Sequence, residues 1–369
     1  SVGTPSSVPG KVLPHTGKEL VMMNNVFLND VLGQPDAMRK AIALYAGYMP
    51  QMMHLQACRG RFQQVLFAGM GSSHSCSQGA VILLNQAGVA ARMESASQLL
   101  HYESGSIGSD VLLVLTSQSG ESGEIVSLIQ RLPADQMVVG ITNDCNSTLG
   151  RRANICLPMQ VEPELAVSTR TYLASLILSD MTACALLGQE SVTALAGFSR
   201  AVDALEIFLR DHEEKQRRIT DFLGHPSSFS YIGRGYSRAT AESGALFTRE
   251  TAKYPALAFD GGEFRHGPYE MVDESFCAML FAPEGVGMSF QKKMAEDIAI
   301  HGGRVVYITD KETHFDSDRV LVMYHVPVGE RYAPLVQIAA PQLFANGMAL
   351  YRGFSPGVFR QSSKVTALQ

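Results

Sequence analysis

Short apolar runs of strand length alternate along this chain with longer stretches in which apolar residues return every three or four positions. An unbroken apolar run marks a buried strand, and a period near 3.6 marks a helix with one buried face. Residues 26–49 read as an amphipathic helix broken at Pro35, whose ring cannot continue a helix already under way. Residues 65–73, V-L-F-A-G-M-G-S-S, form a strand that runs into glycines and hydroxyls, followed by a helical pattern through Asn85. Residues 112–116 are a second such strand, and after the small polar turn S-Q-S-G-E-S residues 125–132 are again an amphipathic helix. A helix over 201–218 carries the run E-E-K-Q-R-R on a solvated face. Apolar strands alternating with helices predict an α/β fold, a mainly parallel sheet flanked by helices in three layers as in flavodoxin-like folds.

An offset of 164 residues lays the first half of the chain on the second. Phe67-Ala68-Gly69-Met70-Gly71-Ser72-Ser73 falls on Tyr231-Ile232-Gly233-Arg234-Gly235-Tyr236-Ser237. Residues 112–115 then fall on 276–279 without a gap, and 138–142 meet 305–309 after a further shift of three. The chain reads as a duplicated domain. The expected division is 1–24 as a leader or tag, 25–223 as the first domain and 224–369 as the second, with the linker at 224–228.

The turn after residues 112–116 has the makings of an anion cradle. Ser117, Gln118, Ser119 and Ser122 supply side-chain donors, and the start of the following helix adds a positive dipole end. The turn holds no lysine, so it is not the nucleotide loop G-x-x-x-x-G-K-[ST], and a small sugar phosphate fits it better. An ordinary capped Ser/Gly turn has the same letters. What separates the two readings is the turn at Ser72 and Ser73, which ends another strand of the same sheet, and ligands of parallel sheets bind beyond the carboxyl ends of strands. In the gap-free overlay the second half places Phe281-Ala282-Pro283-Glu284 opposite the cradle, so only the first copy is expected to hold phosphate.

Composition narrows the classes. The chain has 369 residues, 46% hydrophobic and 18% charged, with no apolar run near the ~20 residues that cross a bilayer. Its net charge is -5 and it lacks a basic cluster interleaved with aromatics, so neither nucleic acid nor membrane is expected as a partner. Six cysteines form no C-x-x-C pair, which predicts a reducing, cytoplasmic setting. The ten histidines include no H-E-x-x-H spacing, and neither a metal nor another cofactor is expected. Residues 1–24 are rich in Ser, Pro and Gly early on and lack the pattern of a secretory signal.

Candidate chemistry lies in the second half. Glu250, in A-L-F-T-R-E-T-A-K-Y, shares a helical face with Leu246, and a carboxylate near an apolar face has its pKa raised toward the range of a general base. The same glutamate is also readable as a surface charge paired with Arg249 or Lys253. His266 stands in the loop G-G-E-F-R-H-G-P, beside Glu263 and Arg265, which are readable as an exposed ion pair. Lys364 stands in the tail R-Q-S-S-K-V-T, where a lysine is ordinarily a solubilising charge.

Taken together, the S-Q-S-G-E-S turn, the G-x-G-S-S turn, a glutamate separated by fifteen residues from H-G-P and a terminal S-K-V-T resemble the sugar isomerase (SIS) family. The resemblance is to the isomerase half of glucosamine-6-phosphate synthase, over nearly all the chain from Val26, and it implies two SIS-type domains. It implies that Ser72, Ser73, Ser117, Gln118, Ser119 and Ser122 bind phosphate, that Val167 and Ser168 line the sugar, and that Glu250 moves a proton between C1 and C2. His266 then opens the sugar ring, reaching in from the other subunit of a homodimer, and Lys364 forms a Schiff base with a keto sugar.

Two departures shape the expected activity. The synthase carries a glutaminase domain with an N-terminal cysteine, whereas this chain has no cysteine before Cys58, so a stand-alone enzyme without glutaminase is expected. The synthase also has a lysine one helical turn before its glutamate, where this chain has Phe247, and G-E-F-R-H-G-P is similar to the fructosamine-6-phosphate deglycases. The expected function is a deglycase or deaminase acting on an amino-substituted sugar 6-phosphate. The alternative is a non-catalytic SIS-type sensor of sugar phosphates.

Overall fold

The computed structural model describes residues 25–164 and 167–361. Lys364, like the segment 1–24, lies outside the described residues. Among the described residues, ten strands form two five-stranded sheets, every pair parallel. The first comprises β1 (Gln64–Gly69), β2 (Ala91–Ser95), β3 (Val111–Thr116), β4 (Val138–Thr142) and β5 (Ile155–Pro158), in the order β2-β1-β3-β4-β5. The second comprises β6 (Phe229–Gly233), β7 (Ala256–Asp260), β8 (Cys277–Ala282), β9 (Arg304–Thr309) and β10 (Val320–Tyr324), in the equivalent order β7-β6-β8-β9-β10. Helix His212–Leu223 ends at Gly224, and β6 opens at Phe229.

The strand registers correct the gap-free overlay. Phe67 pairs with Val114 in the first sheet, and Tyr231 pairs with Met279 in the second, so Val114 corresponds to Met279 and not to Ala278. A one-residue slip exchanges the two faces of a strand, and burial sets the register here. Val114 and Met279 both belong to the core shared by the two halves, whereas Leu113 and Ala278 belong to the cores on the outer faces. The later shift holds, since Val139 pairs with Val114 and Val306 with Met279.

The shared core runs between the inner faces of the sheets. Through it passes helix Arg170–Leu186, buried at every position from Thr171 onward, together with helices Arg238–Ala252 and Ala339–Tyr351. Polar contacts sew the halves together inside this core: Gln34 and Gln342 exchange amide hydrogen bonds at 2.9 and 3.0 Å, and the Ser75 and Ser243 hydroxyls meet at 2.7 Å. Asp180, buried on helix Arg170–Leu186, receives two hydrogen bonds from Arg331. A buried carboxylate without such a partner is strongly disfavoured.

Two local expectations change. The N-terminal helical region divides at Gly33 into Val26–Leu32 and Gln34–Tyr45, and Pro35 sits in the first turn of the second helix, where its missing N–H costs no hydrogen bond. The helix expected over 201–218 is instead two, Ser191–Leu209 and His212–Leu223, turning at Asp211. The turn lets Leu205, Phe208 and Leu209 before it, and Ile219 and Leu223 after it, all bury in the shared core. No helix among the described residues is long and apolar enough to cross a membrane.

Candidate active site

In the strand order 2-1-3-4-5 the chain leaves β1 and β3 for opposite sides of the sheet, and a crevice opens at their carboxyl ends. A cleft of about 340 Å³ occupies that crevice. One wall is the turn after β1, with Gly71, Ser72 and Ser73, and another is the turn after β3, with Ser117, Gln118, Ser119 and Ser122. The two cradles inferred from the sequence therefore face one space.

The second turn is rigidly built. Ser117 donates its backbone N–H to Ile141 at 3.0 Å, and its hydroxyl meets that of Ser122 at 2.8 Å. Gly120 donates to the Ser117 hydroxyl at 3.2 Å, and Glu121 donates to the Ser119 hydroxyl at 3.1 Å. Gly120 has φ +67°, and a Cβ there would lie 2.0 Å from the Ser147 hydroxyl, so this position takes only glycine. The loop 143–149 braces the turn from behind, with Asn143 donating to the Gln118 carbonyl at 3.0 Å and Leu149 to that of Gly120 at 3.2 Å. Helix Gly123–Arg131 starts directly after Ser122, its positive dipole end toward the cleft.

With the corrected register, Ser117-Gln118-Ser119-Gly120 corresponds to Ala282-Pro283-Glu284-Gly285. The glycine is kept and the hydroxyls are gone. A Cβ on Gly285 would lie 2.4 Å from the Glu330 carboxylate, as one on Gly120 would meet the Ser147 hydroxyl, so both copies leave room only for glycine at this point.

The far wall of the cleft comes from the second half. Leu246 and Glu250, one turn apart on helix Arg238–Ala252, both line it. Burial raises the Glu250 pKa from the ordinary carboxylate range to about 7, against the opposing charges of Arg249 and Lys253. Among the described residues the Glu250 carboxylate makes no ion pair, and the Lys253 ammonium donates to the Glu250 backbone carbonyl instead. Phe247 is fully buried and packs edge to face on Tyr172 with centroids 5.6 Å apart.

Ser168 also lines the cleft, on a loop that the sequence left unplaced. The buried Glu164 organises that loop, accepting backbone and hydroxyl hydrogen bonds from Thr169 and Thr171 at 2.7 to 3.0 Å. With its proton on Glu164, the Thr171 hydroxyl can accept from the Ser168 hydroxyl, 3.3 Å away. Sequence reading missed Glu164 and Phe359, the latter a cleft-lining residue from the C-terminal segment. The signal for Glu164 was a carboxylate followed within seven residues by two threonines that open a helix.

Two inferred residues stand elsewhere. Val167 is buried and lines a separate apolar cleft of about 230 Å³ with Val26, Phe27 and Val358. His266 is exposed on the turn after helix Gly261–Phe264, its backbone N–H bonded to Glu263 at 2.9 Å, and does not line the cleft. Beside it Arg265 pairs with Asp297 at 2.8 Å, not with Glu263, because helix Met288–Ile300 brings that aspartate alongside. Among the described residues no three His, Cys, Asp or Glu side chains converge as a metal site.

A duplicated parallel α/β unit with a hydroxyl-lined crevice at its first switch point defines the class. The chain belongs to the SIS domain family, which matches residues 62–185 and 225–351. It is 28% identical over 351 residues to the isomerizing glutamine–fructose-6-phosphate aminotransferase of Pyrococcus horikoshii, covering 93% of this chain and 57% of that relative. The chain thus spans little more than half the length of such relatives. Among solved structures, the C-terminal domain of glucosamine-fructose-6-phosphate aminotransferase from Francisella tularensis superposes with a TM-score of 0.77 at 20% identity, covering 89% of this chain and 96% of that one. Glucosamine-6-phosphate deaminase from Thermotoga maritima superposes with a TM-score of 0.74 at 17% identity, covering 92% and 98%.

Proposed function

We propose that this chain is an isomerase-type enzyme that releases an amine or ammonia from an amino-substituted sugar 6-phosphate. The observation that carries the reading is Glu250, a carboxyl poised near neutrality, facing the hydroxyl turns within one cleft. The phosphate rests on Ser72, Ser73, Ser117, Gln118, Ser119 and Ser122, which fixes the sugar so that binding energy far from the reacting carbons orients them. Ser168 lies where the sugar chain passes.

Glu250 as carboxylate takes the proton from the carbon next to the carbonyl or imine, the electron pair moves into an enaminol, and the proton is returned to the neighbouring carbon. For a fructosamine the result is an imine at C1, for a 2-amino aldose an imine at C2. Water adds to that imine and the carbon–nitrogen bond breaks, giving a sugar phosphate and the free amine. A group with a pKa near 7 suits both the removal and the return of the proton.

His266 completes the reading as a ring-opening acid supplied to the cleft of a neighbouring copy in a homodimer, and Lys364 as an amine able to form a Schiff base with a keto sugar. Phe247 in place of the synthase lysine favours amine release from a fructosamine. The test is an amine-release assay on glucosamine 6-phosphate and fructoselysine 6-phosphate with Glu250→Gln as control. Release from one or both, abolished in the variant, supports the enzyme. Tight binding of both without turnover supports the sensor reading.

A further inference from the structure

Among the described residues, the cleft that faces the hydroxyl turns is lined by no lysine or arginine, and its ionisable lining residues are Glu124 and Glu250. The cations stand next door. An adjoining cleft of about 240 Å³ shares Glu250 and Phe359 with the first and is otherwise lined by Arg249, Lys253, Arg360 and Gln361. Three cations against one carboxyl, itself near its pKa, leave this second cleft with an unbalanced positive charge.

Each cation is held in place. Lys253 closes helix Arg238–Ala252 with φ +51°, a left-handed position that glycine or asparagine takes without strain. Its ammonium donates to the carbonyls of Glu250 and Val358, which occupies two of its three hydrogens. Arg249 spends one N–H on the Ala256 carbonyl at 2.7 Å and retains others. The Arg360 guanidinium lies over the Phe354 ring, 4.8 Å from its centroid. Burial and the Arg360 charge both lower the Lys253 pKa, opposed by the Glu250 carboxyl alone, so the cations outnumber the anion in this cleft. A strained lysine kept where glycine is easier points to a use for its side chain.

We propose that Arg249, Lys253 and Arg360 form a subsite for a carboxylate borne by the amine portion of the substrate. This rests on the reading of the Glu250 cleft as the place of amine release. With the phosphate on the hydroxyl turns and the reacting carbons at Glu250, the nitrogen and its substituent extend past Glu250 into the second cleft. A carboxylate there meets guanidinium and ammonium donors, the strongest class of hydrogen-bond partner for it. The subsite selects amines derived from amino acids over neutral amines of the same size.

The test compares two synthetic substrates, fructose 6-phosphate joined at C1 to glycine and to methylamine, which differ by the carboxylate alone. Amine release and calorimetric affinity are measured on the wild-type protein, Lys253→Met, Arg360→Met and Ser122→Ala. The expected result is at least a tenfold preference for the glycine compound, which shrinks in Lys253→Met and Arg360→Met and persists in Ser122→Ala. Equal turnover of both compounds overturns the subsite and leaves the amine-releasing activity standing. Preferential binding of the glycine compound without release of either amine supports the subsite and overturns the activity. Absence of both overturns both. Equal weakening of both compounds in Lys253→Met, with none in Ser122→Ala, overturns the subsite by placing the phosphate among these cations.

Discussion

The hydroxyls of Ser117 and Ser122 meet at 2.8 Å across the turn that lines the cleft. Ser117 is buried and also holds the Gly120 N–H, so it shapes the turn, while Ser122 is open to the cleft and starts the helix. Ser122→Ala is therefore expected to weaken phosphate-ligand binding by roughly 10- to 100-fold, the size of one hydrogen bond to a charged group, with little change in Tm. Ser117→Ala is expected to lower both affinity and Tm. Calorimetry and thermal melts on the two variants separate these roles.

Gly120→Ala should be more harmful than either serine change. The backbone is left-handed there and the added carbon would meet the Ser147 hydroxyl at 2.0 Å, so the turn must move. A loss of about 2 kcal/mol or more is expected in denaturant unfolding, from the left-handed conformation plus the clash. Ser147→Gly in the same chain should recover part of it.

Glu250→Gln should lower turnover by roughly a hundredfold or more, as loss of a general base does, while ligand affinity is retained. In the wild-type protein kcat/KM should rise with pH through about 7 and then level, because the ionised carboxyl is the base. The same shift affects stability in the opposite sense. The folded protein holds the Glu250 proton between the ordinary carboxylate range and about 7 while the unfolded chain does not, so stability falls as pH rises through that window. The loss amounts to at most about 3 kcal/mol, and at pH 8 the glutamine variant is expected to melt higher than the parent. A lower melting point for the variant at pH 8 would contradict the burial argument.

His266 is exposed and away from the cleft of its own chain. If it serves a neighbouring copy, mixing inactive Glu250→Gln and His266→Ala proteins after mild dissociation should restore about one quarter of wild-type activity, since half the dimers are mixed and each has one intact site. No recovery after exchange, with mixed dimers shown by mass, would remove His266 from the shared site.

Arg331→Met should destabilise by about 3–5 kcal/mol, because it strands the buried Asp180 carboxylate that joins the first half to the second. Asp180→Asn should cost less, since an amide carries no charge to strand. Equilibrium unfolding of both variants tests the order.

Much of this was legible from residue order. Strand and helix are both local patterns, and the S-Q-S-G turn, Leu246 and Glu250 could be read because each lies within a few residues of its signal. The duplication was also legible, since equal strand orders leave equal spacings of apolar runs. What only the tertiary structure decided depended on distance across the chain. The one-residue register change at β8 came from which face met the shared core, and Gly285 emerged as the counterpart of Gly120 only after it. The joining of Glu250 to hydroxyls more than a hundred residues earlier came from helix Arg238–Ala252 crossing to the first sheet's open end. The separation of Val167 from Ser168, and the gathering of Arg249, Lys253 and Arg360 beside Glu250, followed from burial and chain reversal, which act through space and leave no periodic trace in sequence.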